Sequence, residues 1–136
     1  MNNLEETLID SFVNLKGLLS QKVEHQSNEN FLTFVKRIAP SIVSDFKMGN
    51  HIKVISNKLQ DLEEGRIKRL MVFLPPRSSK SVICSKLFPA WYIGRHPEHE
   101  ILTVSHSDQL SSDFGRSVRD VVNTEEFQKI FRGVQL

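Results

Sequence analysis

The chain of 136 residues is long enough for one domain, and its apolar content of 39% is enough for a hydrophobic core. It contains no apolar run that could span a bilayer, its acidic first residues do not resemble a secretory signal, and its single cysteine, Cys84, excludes an internal disulfide and favours a reducing, cytoplasmic setting. The net charge is +2, but residues 31–95 carry twelve basic and four acidic side chains. This basic middle suits a polyanionic ligand or nucleic acid, although many of its lysines, such as Lys53 and Lys58, could simply solvate a helix face.

The N-terminal segment is predicted to be an amphipathic helix over residues 3–21, because apolar residues recur at helical spacing: Leu4, Leu8, Phe12, Leu15 and Leu19. A polar stretch over residues 26–30 is expected to break it. We therefore assign residues 1–27 to a helix with a polar linker and residues 28–136 to the main domain. This first helix either packs on that domain or docks on a partner.

Two further helices are predicted before the first strand. Asn30 or Asn28 can cap a helix over residues 31–38, which Pro40 is expected to limit. A third helix over residues 50–64 is expected to end at Gly65, a residue suited to the position beyond a helix C-terminus.

A phosphate-binding loop of the P-loop (Walker A) type is predicted after the third helix. Residues 70–74 form a short apolar run that predicts a strand buried on both faces, and Pro75 and Pro76 end it. From Lys80 the chain is expected to turn helical. A strand, a polar loop and a helix that opens at Lys-Ser are the parts of a nucleotide site, in which backbone N–H groups cradle phosphates.

Each side chain of this loop has an expected role. Lys80 would contact the β and γ phosphates of ATP, and the Ser81 hydroxyl would bind Mg²⁺. Arg77 would contact the phosphates, and Ser78 and Ser79 would form the anion cradle together with the backbone from Pro76 onward. The usual pattern G-x-x-x-x-G-K-[ST] is incomplete, however, because Leu74 and Ser79 replace its two glycines. A Cβ at these positions narrows the allowed dihedrals, although a serine hydroxyl can itself donate to a phosphate oxygen.

The remaining chain predicts a second strand and two more helices. Residues 80–87 are expected to be helical, with Pro89 as a kink or an end, and residues 100–105 are β-branched and apolar, which predicts a strand. Ser107 or Asp108 can cap a long helix through Asn123, and Thr124 opens a last short turn. The order strand, helix, strand, helix predicts an α/β fold with parallel strands.

Five sequence blocks resemble the N-terminal part of the large subunit of viral terminases, the ATP-driven motors that package phage DNA into capsids. The first two blocks are Leu70-Met71-Val72-Phe73-Leu74-Pro75-Pro76-Arg77 with Lys80-Ser81, and Phe88-Pro89-Ala90-Trp91-Tyr92-Ile93-Gly94-Arg95-His96-Pro97. The others are Ile101-Leu102-Thr103-Val104-Ser105-His106-Ser107, then Phe114-Gly115-Arg116 with Val118-Arg119, and Phe127 with Ile130-Phe131. They cover approximately residues 31–136.

The resemblance implies a partial P-loop NTPase fold of the additional-strand, RecA-like class, with ATP and Mg²⁺ as cofactors. It also implies double-stranded viral DNA, the terminase small subunit and the portal as partners, and the cytoplasm of a bacterial host as the setting. No membrane is expected. Arg116 and Arg119 lie near one face of the last long helix and are candidates for a phosphate or DNA contact, although salt bridges to Asp113 or Asp120 are an equal alternative.

The catalytic set that the family implies is incomplete in this chain. Terminase ATPases use an apolar strand that leads into Asp-Glu to supply the metal partner and the water-activating base, and no such run follows Lys80. The nuclease domain of the family has no counterpart here. We therefore interpret the chain as a fragment of a terminase ATPase domain, truncated before the Walker B strand, which binds ATP but hydrolyses it poorly. The alternative is a non-catalytic remnant or interaction module that binds DNA or a packaging partner through the basic middle.

Two other clusters contain residue types that occur in functional sites. Residues 105–108 have the residue types of a hydrolase triad, but neighbours in sequence at a strand end cannot converge on one point. His96 and His99 flank Pro97-Glu98 as a metal pair would, although no third and fourth ligand is evident nearby in the sequence, which favours a solvated loop.

Overall fold

The computed structural model describes residues 3–135, and their side chains from residue 8 onward. Six α-helices follow one another: Asn3–Glu29 (α1), Phe31–Ile42 (α2), Asn50–Glu63 (α3), Phe88–Arg95 (α4), Asp108–Val122 (α5) and Glu125–Ile130 (α6). A π-helix, Val82–Leu87, leads directly into α4. No helix among these residues combines the length and the apolar character that crossing a bilayer requires.

The prediction of an α/β fold is wrong. Between residues 3 and 135 the structure contains helices and irregular segments but no strand, so there is no parallel sheet and no P-loop NTPase architecture. A strand is stable only when its backbone N–H and C=O groups pair with a neighbouring strand. The two segments predicted as strands form no such ladder.

Both predicted strands are irregular segments that pair with no strand among residues 3–135. Residues 70–74 lie along the helical core with every second side chain inward, and the outward Met71 and Phe73 are 79% and 81% exposed. The expectation of burial on both faces is therefore wrong. In residues 100–105 the side chains of Leu102 and Val104 are 89% and 80% exposed. The prediction of strands from these two apolar runs is therefore wrong, because neither segment pairs with a strand in the described part of the chain.

The first helix is longer than predicted and packs only at its end. It continues from Asn3 through Glu29, so the polar stretch over residues 26–30 does not break it and only Asn30 separates α1 from α2. Ser27 near its end is fully buried, whereas the apolar side chains from Leu8 to Leu19 are exposed. The expected packing on the domain is thus confined to the C-terminal part of α1, which contacts α2, α4 and α6.

The core is built around aromatic side chains from α2, α4 and the C-terminal helix. The ring of Phe31 lies 5.1 Å from that of Trp91, and Phe34 lies 6.2 Å from Phe127 and 6.1 Å from Phe131. All five residues are 4% exposed or less. Because aromatic side chains bury the largest apolar areas, this cluster supplies much of the hydrophobic stabilisation of the domain.

Polar contacts fix the end of α1 onto this core. The indole N–H of Trp91 donates to the carbonyl oxygens of Ser27 and Asn28, at 3.2 and 3.0 Å. Arg95 donates to the Asn28 carbonyl at 3.0 Å and to Glu63 at 2.9 Å, with its guanidinium 5.0 Å from the Trp91 ring. These bonds satisfy carbonyl groups at a helix end, where the helix itself offers no donors.

Most helix boundaries agree with the capping residues that the sequence offers. Asn30, Ser107 and Thr124 each accept a hydrogen bond from a backbone N–H three residues later, as predicted. Gly65, beyond α3, has a φ of 73°, which glycine adopts without strain. The prediction for Pro40 is wrong, because α2 continues past it to Ile42. Pro89 lies in the first turn of α4, directly after the π-helix ends at Leu87.

Acid is expected to weaken the contact between α2 and α6. Arg37 donates to Glu126 at 3.1 Å, and this bond, with a smaller contribution from Lys129, lowers the pKa of the Glu126 carboxyl. A carboxyl with a lowered folded-state pKa stabilises the fold at pH values above its unfolded pKa of about 4.3, and loses that contribution as the pH falls through the folded pKa. We expect Arg37→Gln to have a lower free energy of unfolding at pH 7 than the unmodified chain. Between pH 7 and pH 3 this free energy should fall less for the variant, because the variant lacks the Arg37–Glu126 pair.

Urea unfolding at pH 7 and pH 3 measures this difference. Arg132→Gln is the matched control, because Arg132 is exposed and lies 3.9 Å from Glu24. An identical pH dependence for Arg37→Gln and the unmodified chain would show that the Arg37–Glu126 pair has no part in acid unfolding.

Candidate phosphate-binding loop

The predicted phosphate loop folds around a cavity. Residues 74–82 line an open space of about 360 Å³, and all six predicted binding residues contribute to its wall: Pro76, Arg77, Ser78, Ser79, Lys80 and Ser81. The helical segment begins at Lys80, as predicted. The structure therefore brings the whole predicted set together without the parallel sheet on which the prediction relied.

Two residues of the loop have backbone conformations that non-glycine residues rarely adopt. The φ angles of Arg77 and Ser79 are 62° and 60°. Ser79 replaces the glycine of the usual pattern, and it lies in the left-handed region that glycine would reach without strain. Residues held in such conformations cluster at ligand sites, where the strain is part of a prearranged geometry.

Several donors in the loop have no partner among the described residues. The first hydrogen bond of the helical segment runs from the Ile83 N–H to the Ser79 carbonyl, at 3.0 Å, so the amides of residues 80–82 precede the helical ladder. The Ser78 hydroxyl is buried and makes no hydrogen bond to any residue that the structure describes. A buried polar group without a partner costs free energy, on the order of 1–3 kcal/mol, which a ligand that accepts its hydrogen bond would recover.

Lys80 also lines a second cavity. This space of about 390 Å³ is lined by Leu70, Val72 and Cys84 as well. Burial raises the pKa of the Cys84 thiol, and the nearby Lys80 charge opposes part of this rise. The thiol therefore stays protonated at neutral pH, and Lys80 is the charged group that this region offers to an anion.

His51 is a contact of the loop that sequence reasoning missed. Its ring nitrogen Nε2 lies 3.2 Å from the Ser78 carbonyl oxygen, and since a carbonyl only accepts, Nε2 carries the proton. The ring occupies the space next to Gly49, where a Cβ would lie 2.6 Å from the His51 Cε1 atom. The glycine therefore makes room for the side chain that anchors the loop. No sequence signal links two residues 27 positions apart.

A side chain at position 49 that occupies the space of the His51 ring is expected to weaken phosphate binding. In Gly49→Ala the new Cβ displaces the ring and breaks its bond to the Ser78 carbonyl, so the loop loses one anchor. A single hydrogen bond contributes about 1 kcal/mol, and we expect about a fivefold higher Kd for fluorescent ATP. Gly17→Ala is the control, because a Cβ at Gly17 meets nothing within 4 Å. Equal affinities of both variants would show that the bond does not hold the loop for its ligand.

The two arginines of α5 do not belong to this loop. Neither Arg116 nor Arg119 lines its cavity. Both are exposed, and Arg116 lies 3.3 Å from Asp113, which confirms the salt bridge considered as an alternative to a phosphate contact. A contact of either arginine with DNA stays a prediction.

Comparison with known proteins finds no family model, no curated protein and no solved structure that matches this chain.

Proposed function

We propose that this chain binds the phosphate tail of ATP with Mg²⁺ through residues 76–81, as the ATP-binding part of a viral terminase large subunit. The observation that carries the proposal is the buried, unpartnered Ser78 hydroxyl within a loop whose cavity also contains Lys80. The resemblance of the five sequence blocks supports the assignment to terminases. The proposal concerns the loop and does not depend on a sheet.

The roles of the side chains follow from their positions. Lys80 neutralises the terminal phosphates. The backbone N–H groups of residues 80–82 donate to the anion at the start of the helical segment. Ser78 donates to a phosphate oxygen. Ser81 is exposed in the first turn, where its hydroxyl can reach a Mg²⁺ ion held by the nucleotide. Arg77, also exposed, adds a second positive charge.

Binding is expected without efficient turnover. Phosphoryl transfer requires a positioned metal and an oriented water molecule, which in this class are held by acidic residues after an apolar strand. The sequence offers no apolar run that leads into Asp-Glu after Lys80. We therefore expect the chain to bind ATP and release it unchanged.

A titration with a fluorescent ATP analogue in the presence of Mg²⁺ tests the proposal. We expect saturable binding of one nucleotide per chain, competition by ATP and ADP, and much weaker competition by adenosine, because the phosphates supply the contacts. Adenosine that competes as well as ATP, or an absence of binding at millimolar ATP, would contradict the proposal.

The alternative is that the basic middle of the chain binds double-stranded DNA or a packaging partner. Exposed cations that make no ion pair within the described residues favour it: Lys53, Lys68 and Arg69. Binding of this kind neutralises DNA phosphates and releases counterions, so the affinity should fall steeply with salt. Fluorescence anisotropy between 50 and 200 mM salt would measure the affinity for a short DNA duplex. Lys80→Ala should weaken ATP binding and leave this DNA affinity unchanged, which separates the two functions.

A further inference from the structure

The turn that follows α4 brings together three side chains that can bind a metal ion. The His99 N–H donates to the His96 carbonyl at 3.0 Å, which closes the turn. The imidazole rings of His96 and His99 lie 5.0 Å apart and almost parallel, at 12°. One ligand atom from each of His96, Glu98 and His99 lies within 4.8 Å of the other two. Glu98 thus supplies the third ligand that the sequence pattern of His96 and His99 lacked.

A buried carboxylate orients the first of these histidines. His96 Nε2 lies 2.7 Å from an oxygen of Glu63, whose side chain is only 3% exposed. Because a carboxylate accepts, Nε2 carries a proton and the lone pair of Nδ1 is left for a metal. Histidines that bind metals almost always donate their other ring N–H to a carboxylate, a carbonyl or water, which fixes the ring and raises its basicity.

A tyrosine holds the second histidine in the corresponding way. Nδ1 of His99 lies 3.0 Å from the Tyr92 hydroxyl oxygen. In the tautomer with a proton on Nδ1, His99 donates to Tyr92 and its Nε2 lone pair is free. That Nε2 atom lies 3.7 Å from a carboxylate oxygen of Glu98. The Glu63 carboxylate therefore leaves Nδ1 of His96 free, and Nε2 of His99 is free in the tautomer in which Nδ1 donates to Tyr92.

We propose that His96, Glu98 and His99 bind a Zn²⁺-type transition-metal ion, with water at the fourth position. Two imidazoles and one carboxylate form a ligand set that Zn²⁺ accepts, whereas Mg²⁺ prefers oxygen ligands. Ligand atoms of a tetrahedral zinc ion are about 3.3 Å apart, so the turn must contract slightly on binding. Glu98 and His99 are exposed and can make this movement. The bound ion would stabilise the turn after α4, which is connected to α3 through the hydrogen bond between His96 and Glu63.

Metal titrations of the tag-free full chain test this site. We expect Zn²⁺ to bind at one ion per chain and to raise the Tm, and Co²⁺ to give the strong visible absorption of tetrahedral coordination. His99→Ala and Glu98→Gln should each weaken Zn²⁺ binding at least about tenfold and remove the rise in Tm. His106→Ala, which removes an exposed histidine outside the cluster, should bind Zn²⁺ like the unmodified chain.

Three results would overturn the site. They are equal Zn²⁺ affinity of His99→Ala and the unmodified chain, a weak octahedral Co²⁺ spectrum, and loss of binding in His106→Ala alone. Because no nucleotide is present and Mg²⁺ is not expected to compete, the outcome is independent of the ATP-binding proposal.

Discussion

Replacing Lys80 with alanine is expected to weaken the binding of ATP with Mg²⁺ strongly. Lys80 is the first helical residue after the loop and, among the described residues, the only lysine that lines the loop cavity. A contact between an ammonium group and a phosphate contributes about 2 kcal/mol or more, which corresponds to at least about a 30-fold rise in Kd. Fluorescent ATP titration of both proteins measures the change.

Lys86→Ala is the matched control for this experiment. It removes the same charge from the same helical segment, but Lys86 does not line the loop cavity. We expect its affinity for ATP to stay within about twofold of that of the unmodified chain. Solvent and salt screen the interaction of a charge outside the cavity with the bound phosphates. If Lys80→Ala and Lys86→Ala bind ATP equally well, the loop is not the nucleotide site.

Gly94→Ala is expected to be the most destabilising of the small substitutions. A Cβ at Gly94 would lie 2.6 Å from the ring of Phe131, which is 4% exposed and part of the aromatic core. Overpacking a core costs about 1–3 kcal/mol, and the better helix propensity of alanine offsets about 0.5–1 kcal/mol of that. We expect a net loss of about 1–2 kcal/mol and a Tm lower by about 5 °C.

Gly115→Ala makes the same chemical change at a position where nothing lies within 4 Å of the new Cβ. Gly115 is an exposed residue within α5, so alanine should stabilise the fold by up to about 1 kcal/mol. Thermal unfolding of the two variants should therefore shift in opposite directions. If the Gly94→Ala protein is as stable as Gly115→Ala, the Phe131 ring can move away from α4 without lowering the free energy of unfolding, and the close packing at Gly94 is not needed for stability.

The helices were predictable because their signals are local. Apolar spacing and the capping residues Asn30, Ser107 and Thr124 act within a few positions of one another, and the structure places the helix boundaries close to them. The main error concerns Pro40. A proline inside a helix removes one N–H and one helical bond, and packing of the surrounding residues, among them the buried Ala39, outweighs that loss.

The strands were mispredicted because the formation of a strand depends on a partner strand that can lie far away in the sequence. Residues 70–74 and 100–105 have the apolar and β-branched composition of strands, but neither segment forms one. Whether extended backbone becomes a sheet depends on a partner strand, which the described part of the chain does not provide for either segment. The exposed Phe73 and Leu102 are the result, and such side chains would be covered in a sheet packed on both faces.

The amino-acid sequence by itself determined the helices, their caps and the candidate loop, because each depends on residues close together along the chain. Only the tertiary structure decided that the fold is helical, that His51 anchors the Ser78 carbonyl, and that Glu63 and Tyr92 orient the two histidines after α4. These contacts join residues on separate elements or on successive turns, and their formation depends on how the helices pack. Packing is a property of the whole chain, so no local pattern could have specified it.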